Sequence, residues 1–177
     1  MELISPIHGK MIYEENEIIY FEKGIPGFDN LKKYIIKEVG NESPFNILQS
    51  IEDKELGFII ISPFFINDKY EIKLNDEVIK NLNLEDSEDV MLYSIVTLNS
   101  KAEEITANLK APLVINIKNR KGEQYISDKE VYNIKEKVFK KWIMKKWRVI
   151  WNIFQITWKN KWSNSALLNY NHNFFIP

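Results

Sequence analysis

The chain has 177 residues, 45% hydrophobic and 28% charged, which is enough for one domain with a buried core and too apolar for a disordered chain. It contains no cysteine, which excludes a disulfide framework, thiol catalysis and any cysteine-ligated metal, and suits a reducing cytoplasm. The net charge of −1 conceals a division: residues 1–137 carry 17 basic groups against all 25 acidic ones, an excess of −8, whereas residues 138–177 carry basic groups only, with all five tryptophans.

The opening MELISPIHGK has neither a basic n-region nor a long apolar stretch, so no secretory signal is expected. No run of about eighteen uncharged apolar residues occurs, so no transmembrane segment is expected either. Lys10–Glu15 and Glu17–Phe21 read as a hairpin turning at Glu15-Asn16. Strands follow at Tyr34–Val39, Asn46–Ser50 and Leu56–Ser62, with Gly40, Pro44 and Pro63 as breaks. Phe58-Ile59-Ile60-Ile61 shows no alternation, as a strand covered on both faces should. Asn75-Asp76-Glu77-Val78-Ile79 predicts a helix start, since its N-cap and two acids meet the unpaired N–H groups of a first turn. Val90–Leu98, Pro112–Lys118 and Gly122–Ser127 complete the strands, the last two pairing across Asn119–Lys121.

Strands this frequent predict an all-β fold, a small closed or partly open antiparallel barrel or roll with one or two short helices. Within it, Ile25-Pro26-Gly27-Phe28 reads as a type II turn: proline pre-sets φ at the first central position and glycine takes the positive φ at the second. Gly24 relieves crowding where the strand ending at Phe21 leaves the sheet, and Asp29 or Asn30 is expected to cap a short helical turn through Leu31–Tyr34. Phe21 and Phe28 on either side suit plugging of the barrel end, the usual fate of such aromatics. The alternative is a rigid turn whose apolar tip, Ile25 above all, points outward to a partner.

From here the residues resemble a known family. YFEKGIPGFDNLKKY, PFNILQS at 44–50 and ITANLKAPLVINIKNRKGEQYI at 105–126 are similar, in order and spacing, to the flagellar assembly factor FliW family across about residues 1–135. The resemblance implies a small cytoplasmic β-barrel without enzymatic activity. It also implies two partners, newly made flagellin and the RNA-binding translational repressor CsrA, which the free factor antagonises until flagellin occupies it. No cofactor and no direct nucleic-acid contact are implied.

An acidic body suits a basic RNA-binding partner and repels RNA phosphates. The candidate partner-binding residues are Ile25, Pro26 and Phe28 of the turn, Gln49 and Ser50, the acids Glu85, Asp86, Glu88 and Asp89, and the amides Asn108 and Asn116. For the polar residues, Asx-type locking of loops is at least as strong a reading; for the acids, a solvated surface is the usual one, and an interface the lesser alternative. Gly24 and Gly27 are assigned as structural turn residues. Material for catalysis is lacking, because His8 and His172 stand alone near the termini and no nucleophile elbow, phosphate-binding glycine loop or dinucleotide fingerprint occurs.

The family pattern ends near Tyr132, and the chain divides into a barrel domain at 1–137 and a tail at 138–177. Phe139, Ile143, Trp147, Ile150, Trp151, Phe154 and Trp158 fall near one helical face, with Lys140, Lys141, Lys145 and Arg148 elsewhere. Three readings of this basic amphipathic segment stand, in order of preference. It is a non-native or poorly packed addition, for example one read in a shifted frame. It folds back on the acidic body. Or it binds a membrane surface or nucleic acid, which is the alternative function for the chain.

Overall fold

The computed structural model describes residues 1–40 and 43–139. The helix expected in the tail lies outside these residues, apart from its first two positions.

Short extended segments build the molecule. β1 (Glu2–Ser5) and β2 (Gly9–Ile12) form a separate hairpin; then come β3 (Ile19–Phe21), β4 (Lys33–Glu38), β5 (Phe45–Ser50) and β6 (Gly57–Ile61). Two helices follow, α1 (Pro63–Ile66) and α2 (Asp76–Leu82). β7 (Val90–Thr97), β8 (Thr106–Ala107), β9 (Leu113–Asn116), β10 (Lys121–Gln124) and β11 (Glu136–Lys137) complete the order. The sheet runs β11-β8-β7-β6-β5-β4-β3-β10-β9, and a further pairing of β7 with β9 closes seven of these strands into a barrel. Closure removes the exposed edges an open sheet would present.

The expected barrel is therefore present, with one departure from an antiparallel scheme. β3 and β10 pair in parallel, with Gly122 opposite Phe21. The expected hairpin across Glu15-Asn16 is replaced by a different connection. Glu14 N–H donates to Glu17 Oε2 (2.8 Å) and Glu17 N–H to Glu14 O (3.1 Å), closing a 3-10 turn over Glu15–Glu17. That turn sends β3 away from β2, which pairs back onto β1 instead. The helical turn expected over Leu31–Tyr34 is also absent. Lys33 and Tyr34 are already in β4, opposite Tyr20 and Ile19: Lys32 O and Lys33 O accept from the N–H groups of Phe21 and Ile51, and the Lys33 N–H donates to the Glu52 carboxylate (2.7 Å).

β6 shows why its sequence does not alternate. Ile59 and Ile61 enter one core cluster and Ile60 another, so both faces of the strand are covered. α2 begins where its cap was expected, with Val78 N–H donating to Asn75 Oδ1 (2.9 Å). Val78 and Leu82 are buried, but Ile79 is 38% exposed and does not join their face. The barrel core also extends beyond Lys137. Val138 is fully buried and bonds Ile105 O, and the Phe139 ring packs edge-on against Phe45. Phe139 thus belongs to the core rather than to an amphipathic tail face.

Candidate functional site

The GIPGF stretch forms a tight corner. Phe28 N–H donates to Ile25 O (2.7 Å) and Gly27 has φ +86°, as a type II turn requires. Gly24 also has positive φ, and a Cβ there would stand 2.7 Å from the Asp29 Cα. The outward Ile25 was the wrong expectation. Its side chain is 2% exposed and packs with Phe21, Tyr34 and Leu48, because the bridge to Phe28 turns it into the barrel. Only Pro26 and Gly27 are exposed at the tip. Phe28, half-buried, meets Phe58 edge-on, and Phe21 meets Tyr34 in the same way.

The polar candidates are turned inward too. Gln49 is fully buried, and its amide nitrogen lies within hydrogen-bond distance of Leu56 O (2.7 Å) and Ser50 O (3.0 Å). Ser50 Oγ accepts from the N–H groups of Glu52 and Asp53. Together they lock the loop between β5 and β6. Asn108 Oδ1 accepts from the N–H groups of Lys110 and Ala111, an Asx-type turn. Asn116 donates to Leu82 O and Asn83 O at the end of α2 and accepts from Lys118 N–H. None of these four side chains reaches into solvent as a free recognition group.

The acidic loop divides. Glu85, Asp86 and Glu88 are exposed, and among the described residues no cation forms an ion pair with them. Asp86 accepts from Glu88 N–H (3.1 Å) and from the Ser87 hydroxyl, contacts that hold its carboxyl below the usual carboxylate range. Asp89 departs from the surface expected for it. It is buried and ion-paired with Lys118 at 2.7 Å, and it raises the pKa of that lysine. Other acids are neutralised by neighbours: Lys23 bridges Glu77 (3.0 Å) and Glu123 (2.9 Å), and Lys121 meets Glu22 (2.7 Å). The loop before β7 thus presents three exposed carboxylates close together in sequence, none of them in an ion pair among the described residues.

Beside that loop lies an open groove of about 440 Å³. Phe64, Ile72, Leu74, Ile79, Leu84 and Leu92 line it, and Glu71, Glu85 and Asp86 add carboxylates. Phe64 is 49% exposed, which is unusual for so large an apolar side chain next to others. This groove was not read from the sequence. The Phe64-Phe65 pair after Pro63 was the available signal: a four-residue helix has room to bury one ring and not both.

Among the described residues no group of three His, Asp or Glu is placed to hold a metal, and no helix is long and apolar enough to cross a membrane. The fold and surface thus define a small seven-stranded barrel that carries an acidic loop beside an apolar groove.

A family model described as FliW protein matches residues 2–138. A flagellar assembly factor FliW of Clostridium novyi (strain NT) is 48% identical over 143 residues, which cover 81% of this chain and all of that relative. One from Clostridium botulinum (strain Okra / Type B1) is 47% identical over 140 residues, covering 79% of this chain and 98% of the relative. A crystal structure of the flagellar assembly factor FliW superposes with a TM-score of 0.72 at 37% identity, covering 79% of this chain and 98% of that one. The chain belongs to the FliW family of flagellar assembly factors.

Proposed function

We propose that this flagellar assembly factor binds flagellin and, when free of it, binds and antagonises the translational repressor CsrA, so that flagellin synthesis follows flagellum assembly in the cytoplasm. The observation that carries this reading is the family match over residues 2–138, which spans the whole barrel. The role is one of protein binding rather than catalysis, in keeping with relatives named for assembly. The exposed acids Glu85, Asp86 and Glu88 supply the charge that would draw a basic RNA-binding protein to this face.

Mixing the purified chain with flagellin and with CsrA, separately and together, tests the proposal. A complex with each is expected, with flagellin displacing the repressor. Neutralising Glu85, Asp86 and Glu88 should chiefly slow association with CsrA and flatten its salt dependence, since surface charges act over about 8 Å at physiological ionic strength. No complex with either protein would sink the proposal. An unchanged on-rate would remove the acidic loop from it.

A further inference from the structure

The barrel closes with one gap in its ladder. β6 meets β7 through Ile60↔Ile95 and Ile61↔Ser94, and continuing that register sets Leu92 opposite Pro63. Proline has no N–H to donate, and it starts α1, where its carbonyl accepts from Asn67 N–H (3.0 Å). On the other side of β7, Ile117 N–H donates to Asp89 O and Asn108 N–H to Ile95 O (2.9 Å each). The odd-numbered residues of β7 therefore bond toward β9 and β8, and the even-numbered ones face β6. Below Ser94 those are Leu92 and Val90. Val90 N–H donates to Ser87 O, which leaves Leu92 N–H, Leu92 O and Val90 O unpaired among the described residues.

Val90 and Leu92 both line the open groove beside the acidic loop. We propose that this groove takes an extended segment of a partner protein, which adds as a strand along the edge at Val90 and Leu92. The segment has apolar side chains at alternate positions and a basic residue at the end beside Glu85 and Asp86. A row of unpaired backbone groups selects a strand over a helix, because a helix has already bonded its own amides. Phe64, Ile72 and Ile79 give the alternate side chains apolar surface to sit on. Glu85 and Asp86 are exposed and in no ion pair among the described residues, whereas Glu71 already meets Lys129, so the unmatched charge stands at one end only.

Part of the groove wall, residues 71–74, is held in place by two tyrosines. The Tyr132 hydroxyl accepts from Glu71 N–H and donates to Glu71 O (2.9 Å each), and the Tyr125 hydroxyl donates to Lys73 O (2.9 Å). A segment entering the groove thus meets a wall that is already ordered. Which protein supplies the segment rests on the partner reading above; the unpaired edge does not.

The probe is a capped peptide, Ac-Lys-Ile-Val-Ile-Lys-amide, added to the isotope-labelled full chain and followed by nuclear magnetic resonance. Near about 1 mM peptide, the Leu92 amide should shift and its hydrogen exchange should slow several-fold. Two further peptides carry N-methyl groups at alternate residues, one in each phase. Only one edge of an added strand faces β7, so one methylated peptide should bind like the parent and the other should not. Ile79→Glu should abolish binding, and the Glu85→Gln, Asp86→Asn pair should weaken it several-fold and flatten its salt dependence. Circular dichroism melts show that these variants are folded. Equal binding by both methylated peptides would overturn the proposal, as would a Leu92 amide that the parent peptide leaves unmoved. A Leu92 amide as protected as Met91 and Tyr93 before any peptide is added would overturn it too, since the gap would then be filled from within. Peptide binding by a chain that takes up neither flagellin nor CsrA would support this edge and sink the partner reading alone.

Discussion

The ring of Phe21 stands where a side chain on Gly122 would have to be. A Cβ on Gly122 would lie 2.7 Å from Phe21 Cζ, across the parallel register of β3 and β10. The glycine lets a fully buried ring lie flat against a neighbouring strand and still reach Tyr34 edge-on. Gly122→Ala should therefore overpack the barrel at its parallel seam and cost about 1–3 kcal/mol. Urea unfolding followed by circular dichroism measures this, and a loss below a few tenths would mean the ring can move aside.

The two glycines of GIPGF should separate in the same assay. Gly27 has positive φ but open space around it, so Gly27→Ala should cost only about 1 kcal/mol of backbone strain. Gly24 has positive φ and the Asp29 backbone against it, and backbone cannot swing away as a side chain does. Gly24→Ala should be the more damaging of the two. Equal losses would contradict the turn geometry.

Ile25→Ser should lower stability by about 2–5 kcal/mol, because it empties a buried apolar site and places a hydroxyl there. Binding should fall with stability and not apart from it. Pro26→Ser is now the test of the exposed tip, with an expected loss near 0.4–1 kcal/mol from the freer unfolded chain. A folded Pro26→Ser protein that no longer binds flagellin or CsrA would make the tip a contact. Normal binding would leave the stretch a structural corner.

Asn116→Ala should loosen the end of α2. It removes two donations to Leu82 O and Asn83 O and two acceptances from the following loop. Leaving such buried groups unpaired costs about 1–3 kcal/mol each, reduced where Asn119 still reaches Leu82 O. Hydrogen exchange should rise first at Ile79–Leu84. Uniform protection there would show that packing alone holds the helix.

Acid should destabilise the barrel in a definite window. Glu17 has its pKa lowered from the ordinary 4.5, first by its hydrogen bond with Lys37 and then by the Glu14 N–H. A lowered folded value means that the contribution is present above 4.5 and is lost as pH falls through the folded value. Melting temperature should be flat above about pH 5 and decline below it, and Glu17→Gln should reduce that decline. A decline that Glu17→Gln leaves intact would assign it to other carboxylates.

Much of the barrel was legible because its signals are local. Turn chemistry at Pro26-Gly27, the Asn75 cap and the unbroken Phe58–Ile61 run each depend on neighbours within a few residues. Family blocks carried the rest of the fold. The first hairpin was misread because Glu14 and Glu17 can either flank a strand turn or close a 3-10 turn on each other, and composition does not separate the two. At the site, exposure was the difficulty. Gln49, Ser50, Asn108 and Asn116 are polar, and a polar residue serves a loop's backbone as readily as a partner's.

The sequence by itself determined the strand segments, the turn at Gly27, the start of α2, the acidic body and the family. These follow from periodicity, φ preferences, capping and charge, which act between near neighbours or simply add up. Only the tertiary structure decided that β7 meets β9, that β3 lies parallel to β10, and that Ile25 and Asp89 face inward while Phe64 stays exposed. Those outcomes depend on strand register and closure across distant segments, where a shift of one residue turns every side chain to the opposite face. The groove belongs with them, since its walls come from α1, α2 and β7 and exist only once the barrel has closed.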